Sequence, residues 1–284
     1  MSHERISPTA WLIAYHRTLS DIPLAPEIFH ELEKIVAQER SAANAARVDA
    51  LRSASGAIVW EARFKIINHV LKMHRPKQVL ELAAGFSSRG LDLARDPSVT
   101  YVELDLPDLV KDKRQIVEAL ISQGTIPVQP NYHLVAGNAL EVQDLLSASR
   151  FFAEEPIAVV NEGFLPYLDR SERTTLAKNI LTLLERFGGM WITPDIDVQL
   201  PAETSDLIKA RNAQTQRLTG IDILKNRFEN EAAARTFFEE LGFNVERHRF
   251  MEVADQLVSP EPPTELATKA VEQAVLYVMT AKQR

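Results

Sequence analysis

The chain has 284 residues, 45% apolar and 25% charged, a net charge of −7 at pH 7 and no cysteine. These figures exclude wholesale disorder, a disulfide framework, a thiolate metal site and a cysteine nucleophile, and they argue against a nucleic-acid surface as the main purpose. No apolar run approaches the ~20 residues of a membrane helix. The stretch Trp11–Tyr15 ends at once in His16-Arg17, too short for a signal-peptide core, so a soluble, cytoplasmic protein is expected.

The first seventy or so residues carry helical patterns. Ser7-Pro8 precedes an apolar stripe ending near Arg17, and Ile28, Leu32, Ile35 and Val36 fall at helical spacing after Pro26. A third helix is expected over Ala42–Leu51 and a fourth over Ala57–His74. From Lys77 short apolar runs take over: Gln78–Leu82, Val99–Asp105, Tyr132–Ala136, Ile157–Asn161 and Met190–Thr193. Helical stretches fill the intervals at Leu109–Gln123, Leu140–Ser147 and Ser171–Phe187. Strands alternating with helices predict right-handed crossovers and a mostly parallel sheet covered on both faces. Phe243–Phe250 and Ala274–Met279 supply two more strands, expected as an antiparallel pair at one edge, for seven in all. The polar segment 199–228 fits no strand and is expected to form a helical lid over the end of the sheet.

In an open parallel sheet, ligands bind beyond the carboxyl ends of the strands, near the reversal of strand order. The first strand runs into Ala83-Ala-Gly85-Phe-Ser-Ser, where Gly85 permits a tight turn, and the second ends Glu103-Leu-Asp105-Leu-Pro107. Glu103 and Asp105, two apart, share a face, and an acid about twenty residues after the first turn can grip both hydroxyls of a ribose. The third strand ends Gly137-Asn138-Ala139 and the fourth Asn161-Glu162-Gly163. Gly85, Gly90, Gly137 and Gly163 all fall at or just past these ends, where a buried ligand would demand glycine. A dinucleotide needs G-x-G-x-x-G around its pyrophosphate. The first and third of those glycines are missing here, which favours a nucleoside without phosphate, such as S-adenosylmethionine (SAM), over NAD.

Taken together, Gln78-Val-Leu-Glu-Leu-Ala-Ala-Gly-Phe-Ser-Ser-Arg, Tyr101-Val-Glu-Leu-Asp-Leu-Pro with Lys113-Arg114, and Asn161-Glu-Gly-Phe-Leu-Pro-Tyr-Leu resemble the leucine carboxyl methyltransferase family. Within it the resemblance is to the branch holding the bacterial tetracenomycin-type polyketide O-methyltransferases. It covers about Arg63 to Phe187. The family's first motif has Gly where Ala83 stands and Asp-Thr where Ser87-Ser88 stand.

The resemblance implies an α/β fold: a seven-stranded, mostly parallel, Rossmann-like class I SAM-dependent methyltransferase sheet. An N-terminal helical cap would span residues 1–74 and the methyltransferase domain 75–284, with the lid inserted at 199–228. Asp105, helped by Glu103, would hold the ribose, and Gly85 and Ala83 would pass backbone beside the methionine portion. Asn138 and Ala139 would meet the adenine, Glu162 the ammonium, and Arg63 the carboxylate through its planar guanidinium.

The implied reaction is methyl transfer from SAM, leaving S-adenosylhomocysteine (SAH), to a carboxyl or hydroxyl of a small, polyketide-like molecule. Alternatives are methylation of a protein's C-terminal carboxylate, SAM binding without turnover, and, last, a nicotinamide enzyme. A carboxylate acceptor is already ionised at neutral pH, whereas a phenol needs a general base. No base is evident; Tyr167 and Asp195 are the candidates, and Arg17 is a candidate for pairing with a carboxylate acceptor. No cluster shows metal-ligand spacing, so no metal is expected. Neither a nucleic-acid nor a membrane partner is expected, and the oligomeric state is open.

Overall fold

The computed structural model describes residues 8–39, 56–199, 212, 213, 216, 220–259 and 264–283. The helix expected over Ala42–Leu51 and most of the lid expected over 199–228 lie outside the described residues.

Helices α1 (Pro8–Arg17), α2 (Ala25–Glu39) and α3 (Ala57–His74) lead into strand β1 (Gln78–Leu82). There follow α4 (Arg89–Leu93), β2 (Thr100–Asp105), α5 (Pro107–Ser122), β3 (Tyr132–Ala136), α6 (Val142–Ala148), β4 (Ile157–Asn161), α7 (Arg170–Phe187) and β5 (Gly189–Thr193). The chain continues through α8 (Glu231–Glu240), β6 (Phe243–Arg249), α9 (Glu265–Gln273) and β7 (Val275–Ala281). Every expected strand forms.

The strands make one seven-stranded sheet in the order β3-β2-β1-β4-β5-β7-β6. Strands β1 to β5 pair in parallel, while β7 lies antiparallel to both β5 and β6. The last two strands are thus the antiparallel pair expected, with β7 inserted between β5 and the edge strand β6. The order reverses between β1 and β4, so the turns leaving these two neighbours diverge and open a crevice at their carboxyl ends.

Burial explains the strand sequences. Every residue of β1 and of β4 is buried, because helices cover both faces of the sheet centre and leave no solvent side to demand alternation. On one face Leu80, Leu82, Val102, Leu104 and Val159 pack with Leu176, Ile180 and Leu183 of α7. On the other, Val79, Tyr101, Ala158, Val160 and Ile192 pack with Ile66, Ile67 and Val70 of α3. Helix α3 therefore lies in a layer of the sandwich. Helices α1 and α2 join a separate cluster in which Trp11, Ile28, Phe29 and Leu32 meet Ile116 and Leu120 of α5 and Phe86 beyond β1.

Local chemistry sets the helix ends. Pro107 opens α5, where its missing N–H costs nothing. Asp169 and Glu172 form a reciprocal capping box at the start of α7, each carboxylate accepting the other's backbone N–H at 2.9 Å. In the turn after β1, Ala83 stands in the left-handed region with φ +51°, which costs a residue bearing Cβ about 1 kcal/mol or more. Ala83→Gly is accordingly expected to raise the unfolding free energy by about 0.5–1 kcal/mol in urea denaturation. A loss of stability would show that the Ala83 methyl makes compensating contacts.

Candidate active site

At the crevice the turn after β1 is held against β2. The Ala83 N–H donates to the Leu104 carbonyl at 2.8 Å, and the Gly85 N–H donates to Asp105 Oδ2 at 2.7 Å. Asp105 Oδ1 accepts the Leu106 N–H at 2.8 Å. Each Asp105 oxygen thus spends one lone pair on backbone and keeps another for a ligand. Burial pushes its carboxyl pKa up, against the pull of these two amides.

Glu103 shares Asp105's face but not its surroundings. Its carboxylate is buried inside the protein, paired with Lys113 and beside Tyr132, and Lys113 also donates to the Ser87 carbonyl at 2.7 Å. Burial raises its pKa to about 7 despite the lysine. The expected help with the ribose is therefore corrected: Glu103 is enclosed beneath α4.

The crevice glycines also answer first to the chain itself. A Cβ on Gly90 would stand 2.6 Å from Glu103 Oε1, and one on Gly137 would stand 2.9 Å from both Asp144 Cβ and Leu104 Cδ1. Gly85 and Gly163 have positive φ, +53° and +76°. Their turns lie under α1: Cβ atoms built there would sit 3.8 Å from Ala10 Cβ and from Ile13 Cδ1.

Beyond β3, Asn138 Oδ1 accepts the Leu140 N–H at 3.0 Å, Asp144 accepts the Asn138 N–H at 2.7 Å, and Asn179 donates to the Ala139 carbonyl at 3.3 Å. Asn138 is thus fixed through its carbonyl oxygen, and toward a ligand its side chain offers the NH2 donors.

Beyond β4, Glu162 is 3% exposed in its side chain and meets three arginines. Glu162 Oε2 accepts from Arg89 at 2.8 Å and from Arg17 at 3.0 Å, and Oε1 lies 3.9 Å from Arg63 Nε. Burial alone would raise the Glu162 pKa; Arg17, Arg89 and Arg63 together outweigh it and hold it at about 2. Each arginine also has an acid: Arg89 pairs with Glu81, Arg63 with Asp195, and Arg17 with Glu162 itself. These three arginines and three acids balance one another in charge. Buried and without a hydrogen bond at the centre are Glu162 Oε1 and the Nε of Arg63 and of Arg17.

A carboxylate held well below its ordinary 4.5 contributes stability that is present above 4.5 and lost as pH falls toward 2. For Glu162 this contribution is on the order of 3 kcal/mol. Acid unfolding is expected to steepen across that window, and Glu162→Gln should flatten the pH dependence there. An unchanged profile would mean that Glu162 is not held by its arginines.

Asp195, considered above as a base, is fully buried and saturated. It accepts from Arg63, from Asn161 Nδ2 at 2.6 Å, and from the backbone N–H groups of Gly163, Phe164 and Leu165 at 2.8, 2.8 and 3.2 Å. With five donors on one carboxylate it holds the turn that presents Glu162. Tyr167 stands half-buried on that turn, whose Pro166 carbonyl accepts from Asn226 at 3.1 Å. Arg17, considered above to meet the acceptor, is instead 5% exposed and bound to Glu162.

The structure thus brings Arg63, Ala83, Gly85, Asp105, Asn138, Ala139 and Glu162 to one end of the sheet and buries Glu103 and Asp195 against the protein's own donors. The role of Arg17 on Glu162, and the parts played by Glu81, Arg89 and Asn161, went unread in the sequence. A glutamate set between Leu80 and Leu82 in a buried strand, with an arginine eight residues later, was the available signal.

This sheet order, with one antiparallel strand and an acid-lined crevice at the reversal, defines a class I SAM-dependent methyltransferase. Residues 22–181 match the model of the family described as leucine carboxyl methyltransferase, and the chain belongs to that family. A curated S-adenosyl-L-methionine-dependent methyltransferase of Mycobacterium sp. (strain KMS) is 26% identical over 215 residues, covering 72% of this chain and 67% of that one. The tetracenomycin polyketide synthesis O-methyltransferase TcmP of Streptomyces glaucescens is 24% identical over 159 residues, 54% of this chain and 50% of TcmP, so the match spans half of that protein.

Among solved structures, an O-methyltransferase from Nostoc punctiforme superposes with TM-score 0.50 at 18% identity, covering 94% of this chain and 72% of that one. A DUF574 family protein from Streptomyces avermitilis superposes with TM-score 0.53 at 15% identity, covering 98% and 100%. Those two likenesses are of fold. No helix among the described residues is long and apolar enough to cross a membrane.

Proposed function

We propose that this protein is an O-methyltransferase that transfers the methyl group of SAM to a carboxyl or hydroxyl oxygen of a small molecule. The observation that carries the cofactor's placement is the pair of buried atoms at the crevice that make no hydrogen bond, Glu162 Oε1 and Arg63 Nε. An acceptor and a donor fixed 3.9 Å apart suit the ammonium and the carboxylate of one amino-acid tail. Asp105 would take the ribose hydroxyls, Asn138 and Ala139 the adenine, and the Ala83–Gly85 backbone the methionine chain. When bound, SAM supplies a methyl group on a sulfonium; the chain's part is to orient it and exclude water.

Oxygen as the acceptor atom is supported by the likeness to the O-methyltransferase TcmP, and a small acceptor by α1, which lies across both crevice turns. The saturation of Asp195 favours a carboxylate acceptor, which needs no base. Calorimetric titration with SAH and NADH tests the cofactor: micromolar binding of SAH and none of NADH is expected. NADH binding, or silence with SAH, overturns the placement. Methyl-ester or methyl-ether product formed from radiolabelled SAM with carboxylic and phenolic acceptors separates turnover from binding alone. Labelling of a peptide C-terminus in place of small acceptors would favour a protein substrate.

A further inference from the structure

Arg89 is fully buried beside the site and is not placed to touch a ligand. Its Nε donates to Asn68 Oδ1 at 2.9 Å, Nη1 pairs with Glu81, and Nη2 donates to Glu162 Oε2 at 2.8 Å. The guanidinium lies 4.5 Å from the ring centre of Phe64. Glu81 is held in turn from the next strand, its Oε2 accepting from the Tyr101 hydroxyl at 2.6 Å. A line of charge-assisted hydrogen bonds therefore runs Tyr101–Glu81–Arg89–Glu162, from β2 through β1 to the end of β4, across the reversal of strand order.

Stability does not explain this line well. Burying ion pairs costs desolvation, and well-packed apolar side chains of similar volume often serve as well or better. What the line does is geometric. Glu162 Oε2 is engaged from within by Arg89 and from α1 by Arg17, which leaves Oε1 as the oxygen without a hydrogen bond, 3.9 Å from Arg63 Nε.

We infer that Arg89, clamped by Glu81 and Tyr101, is a positioning residue that orients Glu162 so that its free oxygen meets the ammonium of the cofactor's amino-acid tail. This inference rests on the cofactor placement proposed above. It assigns the discrimination between nucleosides with and without that tail to a side chain that touches neither.

The test compares SAH with 5′-methylthioadenosine, which keeps the nucleoside and lacks the tail, by calorimetry on the full chain. Lysine at position 89 keeps a cation but cannot bridge both carboxylates. Arg89→Lys is expected to weaken SAH by about 10- to 100-fold and methylthioadenosine by less than about threefold. Tyr101→Phe, which removes only the outer clamp, should weaken SAH by about threefold with methylthioadenosine unchanged.

Equal losses for the two ligands, or none, in folded Arg89→Lys would overturn the inference and make Arg89 structural. If Arg89→Lys fails to show a cooperative melt, Tyr101→Phe decides, and unchanged SAH affinity in that variant overturns it. Wild-type protein that fails to bind SAH at all would bring down the cofactor placement and this inference with it. Wild-type binding of SAH with no selective loss in the variants would bring down this inference alone.

Discussion

Replacing Asp195 with alanine is expected to lower the unfolding free energy by about 3–5 kcal/mol, the cost of removing one partner of a buried ion pair. For a protein whose total stability is on the order of 5–15 kcal/mol, that is a large share. The change leaves Arg63, mostly enclosed, with a carbonyl at 3.4 Å, Glu162 at 3.9 Å and the Trp60 ring at 5.6 Å. It also strips an acceptor from the Asn161 amide and from three successive backbone N–H groups, each costly to bury unpaired. Asp195→Asn keeps an acceptor oxygen and should recover part of the loss. Urea denaturation measures both variants. A cost below about 1 kcal/mol for the alanine variant would show that the 163–165 turn holds its shape without this carboxylate.

The second large effect belongs to Asp105. Asp105→Ala is expected to weaken SAH by about 2–4 kcal/mol, or about 30- to 1000-fold, because hydrogen bonds between a charged carboxylate and the ribose are lost. The structure adds a second route to the same loss: the Gly85 N–H gives up its acceptor, so the turn that carries backbone to the methionine portion is released as well. Asp105→Asn keeps one acceptor oxygen and should fall between wild type and alanine. Glu103→Gln is the matched control. Its parent carboxylate sits on the same strand face but is sealed against Lys113, so SAH affinity should change by no more than about threefold. Unchanged affinity in Asp105→Ala would remove that residue from the site; a strong loss in Glu103→Gln would return Glu103 to it.

These two acids show where local pattern stops being informative. Glu103 and Asp105 look alike in the sequence, two apart on one face of one strand. Their difference comes from Lys113 ten residues on, which pairs with the first where it is enclosed, and from Gly85 and Leu106, whose N–H groups engage the second at the crevice. Asp195 tells the same story: nothing near it in the chain announces that Arg63, 132 positions away, and the turn 30 to 32 residues before it supply its donors.

The sequence by itself determined the elements and the class of the protein. Apolar periodicity and turn residues act over a few neighbours, and they placed all seven strands, three of the four N-terminal helices, the crevice turns and the family motifs. Tertiary structure alone decided that β7 slips between β5 and β6, that α1 crosses the crevice turns, and which buried charges pair with one another. The physical reason is range. Backbone preference and side-chain alternation are set by adjacent residues, whereas the state of a buried charge depends on whichever opposite charges and donors the fold delivers to it from distant parts of the chain.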